Sequence, residues 1–280
     1  MGNTSHPPTA LILSRMVEQR VSIEVSNHIA VVRLLRADKH NALDEAMFNA
    51  IADSAARMRN ESGVRAVVLC GDGPSFCSGL DIASFMSGPT GPEVLLLRDG
   101  GSIANLAQRV AYDWSLVPVP VIVAVHGACF GGGMQIALGA DIRIAAPDAR
   151  LAIMEVKLGL VPDMGITQSL PRLIASDVAK ELTFTGRILS GSEACDLGLV
   201  TRVAQDPFAA AHALASEIAG NSPDAIRAAK RLLNEAWNAP AQQALLLETE
   251  LQISLLGTAN QIAAVTAAAT KEPAVFIDPD

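Results

Sequence analysis

Aromatic side chains make up only 4% of this 280-residue chain, too few for the stacking platform that single-stranded nucleic acid requires. Charge is scarce too: 18% of residues are charged, and 21 Lys and Arg against 29 Asp and Glu leave a net −8. With a pI near 5.1, a broad phosphate-binding surface is excluded and no nucleic-acid partner is expected. The four cysteines, Cys70, Cys77, Cys129 and Cys195, form no CxxC and have no paired histidine spacing. Neither a disulfide framework nor a metal site is signalled, and buried reduced thiols in a cytoplasmic protein are expected. No long hydrophobic run exists either. Val117 to Val125 is apolar but contains Pro118 and Pro120 and falls far below the ~18 residues of a spanning helix, so no membrane partner is expected. Residues 1–15 lack a basic leader and a small-residue cleavage site, and His6 stands where a myristoylation pattern needs Ser or Thr. They read as a mobile extension ahead of the first regular pattern at Met16. Also missing are GxxxxGK[ST], GxGxxG and GxSxG, so P-loop, dinucleotide and serine-hydrolase readings fail.

What is present is a folded chain. Half the residues are apolar and mean hydropathy is +0.32, which excludes disorder and leaves one large α/β domain or a core with an appendage. Alternation predicts strands over Val21 to Val25 and Ile29 to Leu35, joined by an Asn27-His28 turn. Asp44 reads as the N-cap of a helix carrying Met47, Ile51, Ala55 and Met58 on one face. Apolar runs predict strands at Ala66 to Cys70, Val121 to Val125, Ile142 to Ala145, Leu151 to Ile153 and Val200 to Val203, with helices around 102–115 and from the glycines at 131–133. From about residue 165 the pattern is helical: 165–174, 176–184, 190–196, 207–219, 223–238 and 240–269. The turn-rich stretch Met86 to Pro92 suits a pocket lip.

Two turns stand out. Val121 to Val125 leads through His126-Gly127 into Gly131-Gly132-Gly133, and Ala66 to Cys70 leads into Ser75-Phe76-Cys77-Ser78-Gly79-Leu80-Asp81-Ile82. Glycines at a helix start expose N–H groups to an anionic oxygen, or else serve only tight packing. Two such turns after parallel-type strands can direct two backbone donors at one oxygen, as an oxyanion hole does. His126 reads as a satisfied turn histidine.

Phe76-Cys77-Ser78-Gly79-Leu80-Asp81-Ile82, His126-Gly127 with Gly131-Gly132-Gly133, Ala140-Asp141-Ile142-Arg143 and Glu155 to Gly165 together resemble the crotonase superfamily, also called the enoyl-CoA hydratase/isomerase family. The match extends from about Val21 to Lys271-Glu272-Pro273-Ala274-Val275-Phe276. The resemblance implies an α/β, crotonase-like (ClpP/crotonase) fold, a spiral of ββα units over 16–205, followed over 206–280 by helices used in forming a homotrimer or dimer of trimers. It implies an acyl-CoA thioester substrate, with coenzyme A entering as part of that substrate and no separate cofactor. It makes the N–H groups of Leu80 and Gly132 the oxyanion donors, and the Arg36 to Leu43 loop the CoA-binding loop, with Arg36, Lys39, Ala42 and Asp81 as contacts.

The family's hydratases use two glutamates, and here the first position holds Gln135 and the second Glu155. An amide exchanges no proton at neutral pH and cannot serve as general base. Asp163, in Leu160-Val161-Pro162-Asp163-Met164-Gly165, stands where hydratases carry Gly and resembles the acid of dienoyl-CoA isomerases, which move a 3,5-diene to a 2,4-diene, although Gln135 departs from the third acid of that subfamily and single-glutamate 3-enoyl-CoA isomerases need only the equivalent of Glu155. An N-cap on the helix starting near Gly165 is its structural alternative. The sequence thus points to double-bond isomerisation with Glu155 as acid/base and Asp163 as partner. Hydration with Gln135 orienting water, or acyl-CoA binding without catalysis, are the alternatives.

Overall fold

A computed structural model describes residues 19–88, 91–98 and 100–279; the extension expected over residues 1–15 lies outside the described residues. β1 (Val21–Ser26) and β2 (Ile29–Leu34) form the expected antiparallel hairpin. Asn27 and His28 take φ +48° and +64°, the left-handed pair that a two-residue turn needs to follow strand twist. α1 (Glu45–Arg59) is capped by Asp44, whose carboxylate accepts from the Met47 N–H, and it buries Met47, Ile51, Ala55 and Met58 as the spacing predicts.

The large sheet has the order β1-β2-β3-β4-β6-β9, with β3 (Ala66–Gly71), β4 (Val121–Val125), β6 (Ile142–Ala145) and β9 (Arg202–Val203). From β2 onward every pairing is parallel. A second sheet, β5-β7-β8, comprises β5 (Ala128–Phe130), β7 (Arg150–Ala152) and β8 (Leu189–Ser190). The chain steps from the large sheet to the small one after β4 and again after β6, and an isolated bridge between Cys77 and Cys129 does the same after β3. This is the spiral of repeated turns that the resemblance implies. Sequence patterning missed β5, which lies between the glycines of the run, and β8, whose two residues stand alone between helices and show no apolar run.

Strand alternation supplies two cores. Val67, Leu69, Val121, Val123 and Val125 face one, built against α1, α3 (Leu106–Tyr112) and α4 (Gly132–Gly139); Ala66, Val68, Ile122, Ala124 and Ile144 face the other. α8 (Pro207–Ala219) closes that second face with Ala211, Ala215 and Ala219, whose methyl side chains let helix and sheet approach closely. α8, the first helix of the expected C-terminal region over 206–280, therefore packs on the sheet.

The remaining helices are short α2 (Ile82–Ser87), α5 (Ile166–Ser169), α6 (Ser176–Thr185) and α7 (Gly191–Asp196), then α9 (Pro223–Ala236), α10 (Ala241–Leu255) and α11 (Ala259–Thr270). The helix expected over 240–269 is two, interrupted at Gly257, whose φ of +78° no continuing helix adopts. The helix expected over 102–115 is α3 followed by a tighter turn over Asp113–Leu116. α9 is tied to the core by Lys230, whose buried ammonium donates to Asp141 at 2.6 Å and to the carbonyls of Val119 and Trp114. Cys70, Cys77, Cys129 and Cys195 are free thiols and the first three are buried. Burial pushes Cys70 up to about 11 and Cys77 up to about 12, so both stay protonated and unreactive. Among the described residues no helix is long and apolar enough to cross a membrane, and no cluster of His, Cys, Asp and Glu could hold a metal ion.

Candidate active site

The ends of neighbouring parallel strands lie at one edge of a sheet, so the loops that leave β3 and β4 meet there. The meeting is close. Leu43 bridges Leu80, Cys77 bridges Cys129, and the Phe130 N–H donates to the Cys77 carbonyl at 3.0 Å. Gly79, at φ +89°, packs so tightly that a Cβ there would stand 2.7 Å from the Phe130 carbonyl oxygen and 3.6 Å from the Gly132 nitrogen. Only glycine satisfies both demands. The Leu80 turn is thereby laid beside the start of α4. Among the described residues, the N–H groups of Leu80 and Gly132 have no protein acceptor. Gly132 is the first residue of α4 and has no partner four residues back. Gly131 differs, since its N–H is spent on the Ala152 carbonyl at 2.9 Å. That bond fastens the glycine run to the end of β7 and carries Glu155, three residues on, to the same place.

Glu155 begins a tight turn over Glu155–Leu158, closed by Gly159 at φ +71°. Its Oε1 accepts from Gln135 Nε2 at 2.6 Å. Its Oε2 is buried with no hydrogen-bond partner. Desolvation raises the Glu155 pKa, the Gln135 hydrogen bond opposes that rise, and the charge of Asp163 adds to it. An apolar neighbourhood with one bare carboxylate oxygen is what a general base needs to work near neutrality.

Asp163 lies on the loop after Glu155, close enough to act on it electrostatically, and its own carboxyl is raised by desolvation. It does not cap α5. Gly165 occupies the N-cap position in a left-handed conformation and no side chain accepts there. The capping alternative for Asp163 is thus removed.

Gln135 is buried on α4, one turn from Gly131, so both face Glu155. Its Oε1 accepts the Met164 N–H at 2.8 Å. A backbone N–H can only donate, so the amide oxygen must face Met164 and the NH₂ must face Glu155. With its oxygen on Met164 and its NH₂ on Glu155, Gln135 ties the two loops together.

The expected CoA loop divides differently. Arg36 turns inward: its guanidinium pairs with Asp81 at 2.7 Å, approaches Asp44 at 3.5 Å and donates to the Ala42 carbonyl at 3.0 Å. These contacts make it an internal brace of the loop. Asp81 is its partner and caps α2 through the Ser84 N–H; these bonds outweigh desolvation and hold its carboxyl below the usual range. The Ala42 carbonyl is likewise engaged, and Lys39 is left as the exposed cation of the loop.

Patterning missed Asn41. Fully buried at φ +54°, it accepts from the Arg36 N–H and donates to the carbonyls of Asp72, Ser75 and Phe76, binding the Arg36 to Leu43 loop to the Leu80 turn. The available signal was an Asn beside His in a short polar turn, since Asn tolerates the left-handed region. His126 is the turn histidine expected, with Nε2 2.8 Å from the Gly73 carbonyl. A crevice of about 1150 Å³ lies apart, between α3, α5 and α9, and touches Gly165 but none of Glu155, Leu80 and Gly132.

Comparison with known proteins agrees with this geometry. The family model "Enoyl-CoA hydratase/isomerase" matches residues 24–278. The chain is 35% identical to the mitochondrial Delta(3,5)-Delta(2,4)-dienoyl-CoA isomerase of Mus musculus, over 89% of this chain and 80% of that protein. It is 34% identical to the short-chain-enoyl-CoA hydratase of Clostridium acetobutylicum, over 88% and 93%. Among solved structures, an enoyl-CoA hydratase from Bacillus anthracis superposes with a TM-score of 0.84 at 28% identity, covering 92% of this chain and 99% of that one. The fold, the paired turns and these matches agree: the chain belongs to the enoyl-CoA hydratase/isomerase family.

Proposed function

We propose that the protein shifts a carbon-carbon double bond along the acyl chain of an enoyl- or dienoyl-CoA. The reading rests on one observation: the position facing Glu155 across the site is an amide, hydrogen-bonded to it, and the nearby acid is Asp163. Hydration by two carboxylates needs a second acid where Gln135 stands. An allylic shift needs one base, one returning proton and a stabilised enolate.

In this mechanism the thioester oxygen accepts from the Leu80 and Gly132 N–H groups. Glu155 Oε2 takes a proton from an allylic carbon; that C–H bond breaks, an O–H bond forms, and the electron pair moves through the conjugated system to the thioester oxygen as a dienolate. Fixed backbone dipoles stabilise that charge without reorganising. A proton then returns to a different carbon, from Glu155 or from Asp163, and the double bond is left in its new place. No electron is gained or lost overall. Lys39 supports binding of the CoA phosphates. Exposed Leu245, Leu246, Ile253, Ile262 and Val265 on α10 and α11 support assembly as a homotrimer or dimer of trimers.

Ultraviolet assays test the reaction. With 3,5-dienoyl-CoA or 3-enoyl-CoA, conjugation of the product should appear as an absorbance change; rapid loss of 2-enoyl-CoA absorbance with neither isomerisation would establish hydration instead.

A further inference from the structure

Gln135 stands where an acid would, and its two hydrogen bonds give it a task of its own. We infer that Gln135 is a positioning residue that selects Oε2 of Glu155 as the reacting oxygen. This rests on the proposed role of Glu155 as base.

Three contacts carry the inference. The Met164 N–H pins the amide oxygen at 2.8 Å, and this fixes which end of the amide faces the carboxylate. The NH₂ then holds Glu155 Oε1 at 2.6 Å. On the same side lies Gly131, where even an added Cβ would reach only ordinary contact with that oxygen, at 3.4 Å. Oε1 is therefore held by the Gln135 amide, while Oε2 is buried and bare. A carboxylate free to rotate would expose either oxygen and spread its lone pairs over several directions. One held by the neutral Gln135 donor at Oε1 presents Oε2 along one line, as proton abstraction from carbon requires. Neutrality matters as well: a carboxylate in place of the amide would share a proton across so short a contact.

The clamp also bears on protonation. Glu155 faces Gln135 from α4, the backbone of its own turn, and Asp163 from the following loop, which is the charged group acting on it. Desolvation and Asp163 favour the neutral acid, and the Gln135 donor favours the carboxylate. Loss of the donor should make the base harder to ionise.

The test uses full-length Gln135→Met, Gln135→Asn and Glu155→Gln. Gln135→Met keeps the volume but loses both hydrogen bonds; Gln135→Asn keeps the amide but is one carbon too short to span Met164 and Glu155. The readouts are kcat, KM and the pH dependence of kcat/KM for isomerisation, together with a titration of ¹³C-labelled glutamate by NMR, in which the missing signal of Glu155→Gln assigns the resonance. The expected result is a fall in kcat of at least about tenfold with KM little changed, and an acid limb and Glu155 midpoint displaced upward by about one pH unit. A variant that is merely destabilised would unfold more easily with the midpoint unmoved, and an unmoved midpoint in whichever variant folds overturns the inference. Full activity of Glu155→Gln would instead overturn the base assignment beneath it. The NMR midpoint reads the clamp even if the reaction is hydration.

Discussion

A Cβ built on Gly131 would stand 3.4 Å from Glu155 Oε1, so the first glycine of the run is packed directly against the proposed base. Its φ of +51° and ψ of −117° are a conformation that L side chains avoid. The glycine here serves the base as well as the oxyanion donor beside it. Gly131→Ala should cost about 1–3 kcal/mol of stability, and relaxation of the strained turn should shift the Gly132 donor beside Glu155. Turnover should fall at least tenfold in protein that still melts cooperatively, measured by steady-state kinetics beside calorimetry.

Glu155→Gln should lower kcat by about 10²–10⁴-fold while leaving the fold intact. Its effect on stability should depend on pH. An acid whose pKa is raised by folding binds its proton more tightly in the native state. The native state therefore gains stability from it at low pH, and loses that gain as pH rises from the ordinary glutamate value through the raised one. The variant lacks this group, so its stability relative to the parent should climb over that window. Parallel urea titrations at several pH values measure it, and a constant difference would show that Glu155 titrates normally.

Arg36 and Lys39 should separate cleanly. Arg36→Ala leaves Asp81 without its guanidinium, while Asp44 keeps that of Arg20, and should destabilise the protein by about 1–3 kcal/mol. Lys39→Ala should barely alter the melting temperature. It should raise KM for CoA thioesters several-fold, with less effect on pantetheine thioesters, which lack the nucleotide phosphates. Equal effects on both substrates would remove Lys39 from phosphate binding.

Lys230→Met should be costly although far from the chemistry. The substitution strands Asp141 and two carbonyls that the ammonium now satisfies, a loss of about 3 kcal/mol for breaking a buried pair. Denaturant unfolding should show it, with KM unchanged in the folded fraction.

Local chemistry explains what could be read in advance. Asp44 capping α1, the Asn27-His28 turn, the apolar strands β3 and β4 and the two glycine turns depend on neighbours within a few residues, so spacing reveals them. Glu155, Asp163, Leu80 and Gly132 were legible as motif positions. The two-residue strand β8, the break at Gly257 and the sheet-covering role of α8 were not. Each is settled by what packs against it, and in β8 and Gly257 the local signal is one or two residues long.

Composition and periodicity were enough for an acidic, weakly aromatic α/β chain with paired glycine turns, because burial and backbone geometry impose those patterns locally. The assignment of individual polar groups came from packing. Arg36 and Lys39 look alike in the sequence, yet Asp81 and Asp44 claim the first and leave the second in solvent. Gln135 looks like a lost acid until the Met164 N–H, 29 positions away, turns its amide toward Glu155. A hydrogen bond depends on distance in space, and only the folded chain brings those partners together.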